Sequence, residues 1–191
     1  FWIRWLPASS FGWFLAITGG ITVAWGLDAA LLPLDRSLSW VTGISVGAAF
    51  AGATIGAMQR LVLWSHVSWA GKWVSLSSVG AILGVMVAGS FGFPVVEVMD
   101  FGIGFNIPPG VWNIAVSYTL GGPLAGAVVG AGIGIMQWTV LRLHATRAGW
   151  WILASTIGSG AGFAAGSIAS YPLRQDLFMV AIFTGIIASA I

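Results

Sequence analysis

The stretch Gly134–Gly162, GIMQWTVLRLHATRAGWWILASTIGSGAG, decides how this chain is read, because Gly56–Gly84, GAMQRLVLWSHVSWAGKWVSLSSVGAILG, aligns with it without a gap 78 residues earlier. Gly56 matches Gly134, Met58 matches Met136, Gln59 matches Gln137, Val62 matches Val140, Leu63 matches Leu141, His66 matches His144, Gly71 matches Gly149 and Trp73 matches Trp151. The scarce polar residues therefore recur in one register. The N-terminal stretch RWLPASSFGWFLAITGG, from Arg4, adds a third half-copy: Ser9, Ser10 and Gly12 follow Trp5 at the offsets of Ser77, Ser78 and Gly80 after Trp73, and of Ser155, Thr156 and Gly158 after Trp151.

The surrounding composition says what kind of unit is being repeated. Of 191 residues, 58% are hydrophobic and only 6% charged, with 28 glycines and 12 tryptophans, and the mean hydropathy is +0.97. That balance lies outside the range of soluble domains and describes an integral membrane protein. Crossing a hydrocarbon core about 30 Å thick takes roughly 20 apolar helical residues. Six windows approach that length, at about 9–27, 40–64, 70–92, 113–141, 149–170 and 177–191, the last short and read as cut off in mid-membrane. The expected architecture is all-α, a single transmembrane domain over 1–191. Its six helices form about three parallel helical-hairpin repeats, approximately 1–67, 68–146 and 147–191 with the third incomplete, in a pseudo-threefold bundle. Two spans per repeat return each copy to the same side of the membrane, so the copies are parallel rather than inverted.

Glycine supplies the expected packing. Steps of four give Gly12, Ala16, Gly20, then Gly80, Gly84, Ala88, then Gly158, Gly162, Gly166; the second helices of each hairpin contribute Gly52 and Gly56, then Gly126, Gly130 and Gly134. Residues four apart share a helix face, and a face without side chains lets two backbones approach closely in lipid. The GGP at 121–123 is expected to kink the fourth span, because proline removes a backbone donor. Residues 92–113, carrying Glu97, Asp100, Pro108 and Pro109, read as an exoplasmic loop or interfacial segment.

Charge gives orientation. Arg4, Arg60, Lys72, Arg142 and Arg147 fall at one face of the expected bundle with no acid among them, whereas Asp28, Asp35, Glu97, Asp100 and Asp176 all fall at the other with Arg36 and Arg174. A Lys/Arg excess marks the cytoplasmic side, so the N-terminus is expected there, in a bacterial inner or photosynthetic membrane. Tryptophans 2, 5, 64, 69, 73, 138, 150 and 151 gather near that face and read as an interfacial aromatic belt.

FWIRWLPASSFGW, GIMQWTVLR and RAGWWILAS together resemble a group of uncharacterised Gly/Trp-rich polytopic membrane proteins, of the kind found in cyanobacteria and Chloroflexota, built from repeats W-x-x-A-S-x-x-G and G-x-x-Q-W-x-V-L-R. The resemblance covers nearly the whole chain and implies the repeated fold, with no established activity attached. The first full copy departs from the pattern. It has Arg60 where the second has Trp138, and Trp64 where the second has Arg142.

Little chemistry remains to be assigned. Without cysteine there are no disulfides or thiolate sites. The basic residues are scattered singly, which argues against nucleic acid. No Ser/His/Asp, HExxH, Walker or GxGxxG context surrounds His66 or His144, so no enzyme and no metal centre is expected. The repeated amides Gln59 and Gln137 read as hydrogen-bonding glue between helices, or alternatively as a polar ring around the axis lining a narrow path. His66 and His144 are candidate ligands for the magnesium of a chlorophyll-type pigment, set against the plainer reading of wet interfacial histidines. The preferred function is a noncatalytic accessory or scaffolding subunit of a larger membrane complex, photosynthetic or respiratory, contacting lipids, other subunits, and chlorophyll or carotenoid. The alternative is a small transporter or channel for an uncharged or lipidic substrate.

Overall fold

In a computed structural model, residues 2–63, 71–90 and 121–173 are described, with side chains given for 7–63, 71–90 and 121–164. They form five helices: α1 (Trp2–Leu31), α2 (Arg36–Leu63), α3 (Gly71–Ser90), α4 (Gly122–Leu141) and α5 (Gly149–Leu173). Four of them, α1 to α4, contain stretches of 20 to 28 residues long and apolar enough to cross a membrane. Helix is what an apolar environment demands here, since each backbone group must find its partner within the segment. Hydroxyls follow the same rule. Thr18, Ser45, Thr54, Ser77 and Thr156 each donate to the carbonyl four residues back, at 2.7 to 2.8 Å.

The first turn between helices is short and capped. Asp35 accepts a 2.7 Å hydrogen bond at Oδ1 from the Leu38 backbone N–H, the N-cap geometry that satisfies one of the orphan donors opening α2. Each helix then packs on the next in sequence, α1 on α2, α2 on α3, α3 on α4 and α4 on α5. Neighbours run antiparallel: Gly12 lies beside Ile55 and Met58 while Gly20 lies beside Gly47, and Gly80 lies beside Ile133 while Gly84 lies beside Val129. Consequently α1, α3 and α5 point the same way.

What holds these layers together is small side chains inside and large ones outside. Ala16, Ala48, Ala81, Ala88 and Ala125 are buried in one continuous cluster with Trp13, Ile55, Val85, Val129 and Ile133, whereas Phe11, Leu61, Leu83 and Ile157 point outward. In lipid no hydrophobic force separates those classes. Close backbone approach does, because it increases dispersion contact and brings weak Cα–H donors to carbonyls. One such approach joins α3 and α4. A methyl at Gly80 would lie 2.7 Å from the Gly132 carbonyl oxygen, and one at Gly132 would lie 2.5 Å from the Gly80 carbonyl oxygen. Gly20 sits similarly against the Gly47 oxygen, and Gly130 against the Ser155 oxygen. Gly158 and Gly162 are buried on α5, and Gly166 lies further along the same helix.

One expectation needs correction. Trp73 is no belt residue, being 1% exposed in the protein interior. Trp150, 68% exposed, does face outward. Pro123 stands in the first described turn of α4, and the residues before Gly121, on which the expected kink of the fourth span depends, lie outside the described residues. The 92–113 segment, the sixth span and His66 lie outside the described residues.

Candidate functional site: a buried amide and indole network

Near the end of the bundle where α2 and α4 finish and α3 and α5 begin, two glutamines meet. Gln59 is the fifth residue from the end of α2, and Gln137 is the fifth from the end of α4. Both are buried, at 8% and 1% exposure. Gln137 Nε2 donates to Gln59 Oε1 at 3.0 Å and to Ser77 Oγ at 2.8 Å. Each carbonyl oxygen also receives an indole: Trp73 Nε1 donates to Gln59 Oε1 at 2.7 Å, and Trp151 Nε1 to Gln137 Oε1 at 2.6 Å. The two indoles meet edge to face with centroids 5.8 Å apart.

The geometry follows from sequence spacing. In each pair the tryptophan comes 14 residues after the glutamine, across the connection to the next antiparallel helix. Small residues let the helices close on that contact. Gly56 lies against Val74 and Ser77, and Gly134 lies against Ile152 and Ser155. A bulky residue at either glycine would push the indole away from its amide. Four elements, α2 through α5, thereby share one set of neutral hydrogen bonds.

Chemically, the set is neutral rather than reactive. Amide, indole and hydroxyl groups neither gain nor lose protons near neutral pH, so these five side chains offer no general acid or base. Among the described residues, no three His, Asp or Glu side chains come together as metal ligands. Ionisable groups sit at the helix ends. Arg142, following α4, lies with Cζ 4.9 Å from the centroid of the Trp138 ring, a cation–π contact one turn apart. His144 is exposed in the turn before α5, with Nδ1 3.1 Å from the Val140 carbonyl oxygen. Asp28, Asp35 and Arg36 lie at the opposite end of the bundle.

The repeated amides are thus brought together, while His144 stands apart from them in the loop. The tryptophan donors and Ser77 were not anticipated as amide partners. The signal for them was present as the constant 14-residue interval from Gln to Trp, obscured by the general tendency of tryptophan to seek the interface. No family model, curated protein or solved structure matches the chain.

Proposed function

We propose that the chain is a noncatalytic accessory or scaffolding subunit of a larger membrane complex, photosynthetic or respiratory in kind. Its helices are arranged as three parallel hairpins about a pseudo-threefold axis, with the N-terminus in the cytoplasm. The observation that carries this reading is the fate of the buried amides. Gln137, 1% exposed, makes three hydrogen bonds, all to protein groups. Polar side chains that served a permeating solute would leave donors and acceptors directed at it. Those of Gln137 join helices. The outward faces, rich in large apolar residues, suit contact with lipid, neighbouring subunits and flat pigments such as chlorophyll or carotenoid. The repeated bonding pattern supports the threefold arrangement, and the separation of Arg142 and Lys72 from Asp28 and Asp35 supports the orientation.

Gentle detergent extraction followed by native mass and absorbance measurement tests the assignment. Co-purification with defined subunits or pigment is the expected result, and a colourless stable monomer carrying no partner would overturn it. Orientation is tested separately in this cysteine-free sequence by placing one cysteine at Ala145. An impermeant thiol reagent should label it only after the membrane is opened; labelling in intact cells reverses the topology.

A further inference from the structure

The turn where α4 gives way to α5 carries charge that no acid among the described residues neutralises. Arg142 and Arg147 are both exposed there, and no Asp or Glu occurs in the sequence between Asp100 and Asp176. Asp28 and Asp35 lie at the opposite end of the bundle. Backbone bonds hold the turn in shape: the N–H groups of Arg142, Leu143, His144 and Ala145 all donate to carbonyls of α4, and that of Trp150 donates to the Arg147 carbonyl. Arg142 is fixed further by its ring contact, with Cζ 4.9 Å from the Trp138 centroid. An indole beneath a guanidinium covers one face of the plane and leaves its N–H edges open to an anion.

Away from the turn, the same side of this hairpin is apolar and uncovered. Ile135, Trp138 and Arg142 recur at helical spacing on α4, and Trp150, Leu153 and Ile157 do so on α5. Ile135, Trp150, Leu153 and Ile157 are large and exposed. The two stripes flank one seam. Gly160, three residues after Ile157, meets Pro123 and Ala127 of α4, and Ala127 leads through Ala131 to Ile135 in steps of four. The corresponding seam between α2 and α3 lacks this apolar seat, since alignment puts Lys72 and Ser75 where Trp150 and Leu153 stand.

We infer that the α4–α5 seam binds an anionic glycerophospholipid, its phosphate at Arg142 and Arg147 and an acyl chain laid along Ile135, Trp150, Leu153 and Ile157. The inference rests on the helices lying in a membrane, and not on the accessory role proposed above. Guanidinium groups match paired phosphate oxygens, and tryptophan rings sit at headgroup depth, so charge and apolar stripe meet in the order a lipid presents them. A soluble anion would use the arginines and leave the stripe idle. A zwitterionic lipid would bring its own cation up against them.

The full chain, purified in neutral detergent and given an equimolar mixture of dioleoyl phosphatidylglycerol and dioleoyl phosphatidylcholine, is weighed by native mass spectrometry. Phosphatidylglycerol should be retained in preference by roughly tenfold. Arg142→Gln combined with Arg147→Gln should abolish the preference, whereas Lys72→Gln, which removes another exposed cation at the same end of the bundle, should preserve it. Equal retention of the two lipids by the unaltered chain overturns the site. A loss with Lys72→Gln as large as that with the arginine pair also overturns it, by showing a diffuse effect of charge. Displacement of the lipid by millimolar inorganic phosphate would make this a free-phosphate site and overturn the lipid assignment. Because the readout concerns the isolated chain, its failure leaves the accessory role standing, and purification without partner subunits leaves the lipid site standing.

Discussion

Gln59 and Gln137 are the same residue in the same register, yet the second is held by three hydrogen bonds and the first by two, both on one atom. Their serines differ in the same direction. Ser77 is bonded on both sides, accepting from Gln137 and donating to the Trp73 carbonyl, while Ser9 is buried without a partner among the described residues. Equivalent sequence therefore does not give equivalent environment. Polar groups are satisfied by the helices packed beside them, so a residue's energetic weight depends on which helices surround it.

The contrast can be broken by substitution. The largest effect is expected from Gln137→Leu, which removes three hydrogen bonds and strands Trp151 and Ser77, at about 2 to 3 kcal/mol on reversible unfolding in detergent. Gln59→Leu should cost less, about 1 to 2 kcal/mol, because only Oε1 is engaged. Equal losses would show that the two copies are energetically alike. Glycine offers a second contrast of comparable size. Gly132→Ala places a methyl against the Gly80 carbonyl and should destabilise by about 1 to 3 kcal/mol, whereas Gly89, with open space around it, should tolerate Ala with a gain below about 1 kcal/mol from helix propensity. Thermal unfolding of the pair decides whether the α3–α4 crossing carries the packing.

Among the serines, Ser77→Ala should cost about 1 kcal/mol and Ser9→Ala within about 0.5 kcal/mol of nothing, measured in the same way. A large loss at Ser9 would mean that its hydroxyl is already engaged in the assembled protein. Trp151→Phe keeps the edge-on ring against Trp73 but removes the donor to Gln137, so stability should fall by about 1 kcal/mol in the same measurement, close to the loss at Ser77.

Much of this was legible from residues alone. Composition and span length gave the membrane class. The 78-residue alignment singled out Gln59 and Gln137, and spacing by four picked out Gly80 and Gly84, which lie at the α3–α4 crossing. Such features are visible because helix periodicity and bilayer thickness act on the chain locally, residue after residue. Trp73 misled the reading: an indole at the membrane interface and an indole buried against an amide have the same sequence signature, and only the presence of Gln59 across the helix pair distinguishes them. The sequence by itself determined which groups are polar, how often they recur and which helix faces are bare of side chains. Only the tertiary structure decided which carbonyl each indole meets, that one amide bridges two copies, and that Ser9 is left without a partner among the described residues. Those outcomes depend on distances between helices far apart in the chain, set by how closely glycine lets their backbones approach.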